Sequence, residues 1–334
     1  MLKFYIILLA FYLSTSIIQD NEKFEEFLEY TKKFNKKYSS TEELHQRFKN
    51  WKKNYNIVKR SNPISPKQNY LFEQNEFSDM SQEEFAEKYL TLETDSYRDL
   101  LKVTGEDLGL ESVEAPESFD WEFDGKINAT VKHQQNCGAC WAFVATGTLE
   151  AQYQMKYKEK IVFSEQQLID CSEENYKCRG GNMRKAYAYL QENGLMKEED
   201  YPYINGEGEC KYNANKTVIK VTEYSFIPKN EEEMKKALYK YGPLAGAING
   251  IAVTFYKKGI FEPWFANMCP NTISHAVVIM GYGIDRVTGK KYWRIKNSFG
   301  PNWGEDGYMR LIRDANVCGI ANYNLIGLIE KVNK

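Results

Sequence analysis

All seven cysteines of this chain lie at or after residue 137: Cys137, Cys140, Cys171, Cys178, Cys210, Cys269 and Cys318. What that means depends on the compartment, and the N-terminus supplies it. "MLKFYIILLAFYLSTS" sets Lys3 before an apolar run from Phe4 to Leu13, followed by small polar residues. This is the layout of a secretory signal peptide, taken here as residues 1–18. The run is too short to span a bilayer unaided, and no other segment reads as a membrane span. On the secretory route disulfides persist. An odd number of cysteines then leaves at least one thiol unpaired or joined to another chain. The fold is stapled after residue 137 and must hold itself together by other means before it.

The 334 residues carry a net charge of −2, which gives no signal for a nucleic-acid partner. Charge is unevenly spread. Residues 20–114 hold 15 basic and 20 acidic side chains, and residues 115–334 hold 28 and 26. Weak attraction between the two parts follows from the opposite signs. Glu22 to Tyr38 carries Phe24, Phe27, Leu28 and Phe34 near helical spacing. A second helix is expected from the Ser39-Ser40-Thr41 cap to about Arg60, ending before Asn62-Pro63. Glu43, Arg47, Trp51, Asn54, Val58 and Asn62 form one stripe along it. A plain core stripe would be apolar, and this one mixes charges, amides and rings. The acidic stretch from Thr91 to Glu114 reads as an extended linker. Beyond Pro116 the texture changes. A long buried helix is expected after Cys140, with further helices over Ser164–Asp170 and Gly181–Glu192. From about Tyr224 the pattern turns to strands: "PLAGAIN", "HAVVIMGYG", "KYWRIKNS", "GYMRLIRD" and "NLIGLI".

The stretch "QQNCGACWAF" poses a chemical question. Cys137 and Cys140 could be a redox pair, half of a metal site, or two residues with separate tasks. The chain has three histidines: His45, His133 and His275. None forms a pair with zinc-ligand spacing, so a metal site has little support. Cys140 sits at the start of the expected helix, where partial positive charge favours a thiolate. A nearby imidazole would activate it further. His275 opens the most apolar strand, where a histidine is more often structural than catalytic. Asn297 follows in "IKNSFGPNWG", and its carbonyl could orient such a ring.

Together "CGACWAF", His275 and Asn297 resemble the papain family of cysteine peptidases, and within it the cathepsin L-like zymogens. The resemblance covers nearly the whole chain after the signal peptide. It implies an α+β, papain-like fold of two parts behind a helical propeptide: an inhibitory propeptide at 19–114 and a peptidase domain at 115–334, helical to about 226 and β-rich from about 227. It implies Cys140 as nucleophile, His275 as acid/base, Asn297 as the orienting residue and Gln134 as the side-chain oxyanion donor, with the Cys140 backbone N–H as the second donor. It implies the disulfides Cys137–Cys178, Cys171–Cys210 and Cys269–Cys318, which leave Cys140 free. Glu43 to Asn62 resembles the ERFNIN-type propeptide helix, with Trp51 and Val58 in place of the usual Phe and Ile. Asn75, Phe77 and Asp79 fit the motif after it, where Glu73 stands for a usual Gly. The propeptide is expected to run backwards through the cleft and block it. Asp79 is a candidate pH trigger for its release. No cofactor or metal is implied.

Subsites also follow from the resemblance. Gly180 and Gly181 should pair with substrate backbone. Met183, Gly250, Ile273, Ala276 and Tyr323 should build the S2 pocket with Asn182 nearby, and Trp303 an aromatic wall on the primed side. This pocket has no carboxylate, so a hydrophobic P2 residue is expected, with Tyr323 shortening the pocket. A short Cys171–Cys178 segment and no occluding insertion favour endopeptidase action. Partners implied are protein and peptide substrates, the propeptide itself and cystatin-type inhibitors, for a monomer bound for a lysosome, an acidic vacuole or the exterior. Asn128-Ala-Thr130 and Asn215-Lys-Thr217 are possible glycan sites. Three departures stand out. Gln135 replaces a usual Gly, Phe299 a Trp that shields the His–Asn bond, and Ser274 an Asp found in some members. Two other functions compete. A non-catalytic binding relative would normally lack the nucleophile or the histidine. A thiol–disulfide oxidoreductase would need Cys137 and Cys140 both free, and would leave His275, Asn297 and Gln134 without a task.

Overall fold

The computed structural model describes residues 21–62, 70–95, 108–263 and 268–332. The expected signal peptide lies outside the described residues, as does the middle of the acidic stretch. Among the described residues no helix is long and apolar enough to cross a membrane. The chain divides into two compact units, one of residues up to 62 together with 72–81, the other of 63–71 with 82–334.

The first unit is built on aromatic rings. Helix α1 is described over residues 21–33, shorter than the apolar pattern to Tyr38 suggested. Helix α2 spans Thr41–Ser61, with acidic side chains in its first turn and Lys59 and Arg60 in its last. Its start is closed by two caps: Ser40 Oγ accepts from Glu43 N, and the Glu43 carboxylate accepts from Ser39 N and Oγ just before the helix. Phe27, Tyr30 and Trp51 form the buried cluster between the helices. The mixed stripe now has a physical reason. Trp51 joins that cluster and Val58 is buried, while Arg47, Asn54 and Asn62 satisfy the backbone of the 72–81 segment. Asn54 Nδ2 donates to Ser78 O and Met80 O, at 2.9 and 2.7 Å. Asn62 Nδ2 donates to Phe72 O, and Arg47 to Asp79 O. The Asp79 carboxylate receives Tyr30 Oη at 3.0 Å, Tyr38 Oη at 2.9 Å and Lys36 Nζ at 3.0 Å. Asp79 therefore ties this unit to itself.

The second unit begins with α3, Gln82–Tyr89. Helix α4, Cys140–Tyr157, is buried from Cys140 through Gln154; a helix covered all round belongs in a core. Shorter helices follow, α5 at Glu165–Cys171 and α6 at Met183–Asn193, capped by Ser164 and Asn182. Nine strands form the sheet: β1 Phe119–Asp120, β2 Leu195–Met196, β3 Thr217–Phe226, β4 Leu244–Ile248, β5 Ile260–Phe261, β6 His275–Ile284, β7 Lys291–Lys296, β8 Tyr308–Ile312 and β9 Asn324–Lys331. Their order is β2-β3-β9-β4-β6-β7-β8-β5, with β1 on β6. Strand β5 joins β8 in parallel, and β6 runs antiparallel to both β4 and β7. The strand texture starts at Thr217 rather than Tyr224, because β3 pairs with the C-terminal β9. Helix α7, Glu231–Tyr241, was not anticipated. Its signals are Asn230 as N-cap, three glutamates in the first turn, and buried Met234, Ala237 and Leu238.

Two devices position the loop that precedes α4. Lys132 Nζ meets Glu150 Oε1 at 2.6 Å and Glu165 Oε1 at 2.5 Å, pinning residue 132 between α4 and α5. The Cys137–Cys178 bridge holds the other end, and Gly138 N donates to Cys178 O at 2.9 Å. The other disulfides are Cys171–Cys210 and Cys269–Cys318.

Candidate active site

Cys140 is the free cysteine, and it is fully buried at the first turn of α4. Ala139 occupies the N-cap and offers no side-chain bond; Ala142 N and Phe143 N turn to Ala139 O, so no side chain caps the Cys140 and Trp141 N–H groups. The backbone N–H groups of Ala276 and Trp141 and the Thr91 hydroxyl lie near the thiol and favour its charged form. Ala276 is the neighbour of His275, so the thiol lies at the head of β6. Strand pairing sets Val278 opposite Lys296. That register carries His275 and Asn297, just outside it, to the same end of the β6–β7 pair.

His275 Nε2 and Asn297 Oδ1 are 2.8 Å apart. Which atom donates can be argued. Ser298 N, a certain donor, lies 2.8 Å from the same Oδ1, so that atom is the amide oxygen. Nε2 must then carry the proton, and Nδ1 is left as the base. Phe299 stacks on the imidazole at 4.8 Å and 27°. Trp303, Phe85 and Tyr89 pack edge-on against Phe299. The His–Asn bond is therefore shielded from water despite the loss of the usual Trp.

Gln134 is completely buried and fixed at both ends of its amide. Oε1 accepts from Ser298 Oγ at 2.6 Å, and Nε2 donates to Cys137 O at 3.0 Å. Its second N–H hydrogen is left for another acceptor. Gln135 beside it has φ of 52°, the left-handed conformation that the usual Gly would favour. Its N–H donates to His133 Nδ1 at 2.8 Å, a local bond that holds the strained turn. Gln135→Gly keeps that N–H and removes the strain, while adding chain entropy to the unfolded state. The expected outcome is a small rise in stability, at most about 1 kcal/mol, seen as a higher thermal midpoint. A lower midpoint would show that the Gln135 side chain does more than tolerate its backbone.

The acidic stretch read as a linker is partly ordered on this site. Thr91 Oγ1 donates to Gly138 O at 2.8 Å. Gly181 N donates to Thr91 O at 3.3 Å and Glu93 N to Gly181 O at 2.9 Å, a parallel bridge at Leu92. Leu92 N donates to Ser274 O at 3.2 Å on the other side. An added Cβ on Gly180 would stand 2.4 Å from Thr91 O, and one on Gly250 2.3 Å from Leu90 Cδ2. Glycine is needed at both for this close approach. Burial pushes the Cys140 thiol up to about 11, against the neighbouring Ala276 and Trp141 N–H groups and the Thr91 hydroxyl, which favour its charged form. Burial likewise pushes His275 down to about 4, against the pull of Asn297. Covered, both groups are pushed toward their neutral forms.

Of the subsite residues, Met183, Ala276 and Tyr323 are buried, and Leu92 and Ile273 pack against the same apolar cluster. Trp303 is held by Nε1 donating to Thr254 O at 3.1 Å. Ser274 Oγ accepts from Gly250 N at 3.2 Å. Asn128 and Asn215 of the sequons are exposed. Arg184 and Asp95 were missed by sequence reasoning, and they meet here at 2.7 Å. Nothing in the sequence brings residue 95 to α6, so that pair could not have been found without the fold.

Residues 115–328 match the family model described as papain family cysteine protease, and residues 27–85 the cathepsin propeptide inhibitor domain. A viral cathepsin of Adoxophyes honmai nucleopolyhedrovirus is 38% identical over 300 residues, covering 86% of each chain. A cathepsin L-like proteinase of Fasciola hepatica is 38% identical over 305 residues, covering 89% of this chain and 91% of the relative. Among solved structures, digestive procathepsin L 3 of the Tenebrio molitor larval midgut superposes with a TM-score of 0.79. It is 31% identical, and the match covers 91% of this chain and 98% of that one.

Proposed function

Because the chain belongs to the papain family of cysteine proteases, and is a cathepsin L-like zymogen with its own inhibitor domain, we propose how its residues carry out and restrain peptide hydrolysis. The observation that carries the reading is a free Cys140 at the tip of α4, near the Ala276 backbone, together with the adjacent His275 whose imidazole Asn297 orients. Once uncovered, Cys140 passes its proton to His275 Nδ1, and the thiolate attacks the scissile carbonyl carbon. The oxyanion is met by Gln134 Nε2 and the Cys140 N–H, donors held in place before the reaction starts. His275 gives its proton to the leaving amine, and an acyl-enzyme remains. Water, deprotonated by His275, then releases the acid and restores the thiol. Asn297 keeps Nδ1 aimed at sulfur throughout.

Residues 90–95 act as the plug. They pair with Gly181 and Ser274, the main-chain groups that an extended substrate would use. The bridge at Leu92 is parallel; a substrate running the other way would use the same groups with its scissile bond aligned for attack, which the reversed plug is not. Removal of 19–114, favoured by acid, would open the site. The first 18 residues would direct the protein into the secretory pathway, to a lysosome or acidic vacuole or outside the cell, with glycans at Asn128 and Asn215. It would work as a monomer sensitive to cystatin-type inhibitors.

A thiol alkylator applied to acid-processed protein tests the core of this. One label per molecule at Cys140, with loss of peptide hydrolysis, is expected. Labelling at Cys137 as well would favour the oxidoreductase. Endopeptidase cleavage with an apolar P2 residue follows from Met183, Ile273 and Ala276. A P2 Leu substrate should be turned over faster than a P2 Arg one, and the reverse order would refute the pocket assignment.

A further inference from the structure

The plug ends in an unusual contact. The Asp95 side chain is 2% exposed, and its carboxylate meets three groups of the peptidase domain. Arg184 Nε lies 2.7 Å from Oδ1, Asn182 Nδ2 lies 3.0 Å from Oδ2, and Tyr323 Oη also donates to Oδ2. We propose that Arg184, Asn182 and Tyr323 form a carboxylate-binding subsite, which Asp95 fills in the zymogen and an acidic P2 side chain fills in the processed enzyme. This deepens the peptidase reading and rests on it.

Asn182 and Tyr323 are held independently of Asp95, and Arg184 is held through its backbone. Asn182 caps α6: its Oδ1 accepts from Arg184 N at 2.8 Å and Lys185 N at 3.3 Å. Those two backbone donors settle which end of the amide is oxygen, so the NH2 must face Asp95. Tyr323 Oη is 3.0 Å from the same Oδ1, which keeps the phenol within the cluster when Asp95 is gone. Arg184 stands in the first turn of α6, and the helix end adds partial positive charge to its own. Lys185 contributes a further cation nearby, 3.6 Å from Glu93 Oε2. Losing residues 19–114 takes the carboxylate from the Arg184 guanidinium and from Asn182 Nδ2, while Tyr323 Oη keeps only Asn182 Oδ1. Leaving such groups unmet is costly, so a ligand that restores the carboxylate gains what the plug gave up. The guanidinium geometry suits a carboxylate better than an amide.

The apolar residues around the cluster do not conflict with this. A P2 Glu can lay its methylenes on Met183 and Ile273 and bring its carboxylate to Arg184. A P2 Arg would bring a cation to a cation, which sharpens the expectation that Arg is the poorest choice.

The test uses whole zymogen processed in acid, with four fluorogenic peptides that differ only in Leu, Glu, Gln or Arg at P2. Glu and Gln have nearly the same shape, so their ratio isolates charge. In the native protein kcat/KM for Glu should exceed that for Gln by roughly ten- to a hundredfold. In Arg184→Met the ratio should collapse to about one or below, and Arg184→Lys should restore part of it. Because each ratio is taken on one protein sample, a loss of folded protein cancels. A native ratio near one with good Leu turnover overturns the subsite alone. A ratio that survives in Arg184→Met overturns it too. Failure to cleave all four peptides, with no alkylation at Cys140, overturns the peptidase reading and this inference together.

Discussion

Gln134→Ala is expected to lower kcat by roughly a hundred- to a thousandfold while changing KM little. The reason lies in how the amide is held. Ser298 Oγ donates to Oε1, which fixes the orientation of the group. Nε2 spends one hydrogen on Cys137 O, and the other is available where charge would develop. A donor already in place costs nothing to reorganise as the carbonyl becomes an oxyanion. It binds a neutral carbonyl more weakly, so its loss is felt in the chemical step more than in binding. Ser298→Ala should cost less, because Cys137 O still holds Nε2. Both variants can be normalised by titrating the Cys140 thiol, so that loss of active sites is not read as loss of rate. If Gln134→Ala raised KM and left kcat intact, the residue would be a substrate-binding group and not an oxyanion donor.

The candidate catalytic residues could be picked out because each is marked by chemistry that survives without coordinates. An odd cysteine in a chain read as secreted must be accounted for, and the three bridges leave Cys140. A glutamine six residues before it, a histidine opening a strand and an asparagine beyond the next strand are fixed in spacing by the fold's hairpin register. Gln135 was legible as a problem, and its φ confirms the problem. The mixed stripe on α2 was legible as something other than core. What it holds, the carbonyls of Ser78, Met80, Phe72 and Asp79, needed the loop to be placed. Helix α7 escaped because strong strand patterns on both sides set the expectation, although Asn230 and the three glutamates announce its start. Thr91–Asp95 escaped for a deeper reason. A segment that binds as an extended strand against someone else's backbone has no periodicity of its own. Its order comes from Gly181 and Ser274, and acidic composition alone reads as a linker.

Acid should open the plug by protonating His275, with a drive that begins near pH 6.5 and is complete near pH 4. Covered, the imidazole is held down to about 4 by burial. Released into water, it returns toward its usual value near 6.5. Between those values the open form binds a proton that the closed form refuses, so falling pH favours opening. Above about pH 7 both forms are neutral and the term vanishes. The full difference is worth about 3 kcal/mol, or roughly a hundredfold or more in the opening equilibrium. Cys140, held up to about 11 when covered, contributes in alkaline solution and not in this window. Asp79 is a rival trigger, but its carboxylate partners are Tyr30, Tyr38 and Lys36 of its own unit. Asp79→Asn should therefore loosen that unit without erasing the pH slope. Hydrogen exchange on Cys140→Ala zymogen, which cannot process itself, separates the two. After correction for intrinsic rates, protection of the Leu92, Glu93 and Gly181 amides should fall steadily from pH 6.5 to 4. The same profile should flatten when His275→Asn is added and persist when Asp79→Asn is added. Protection that is level across this range, or a slope that follows Asp79 instead, would place the acid switch away from the catalytic pair.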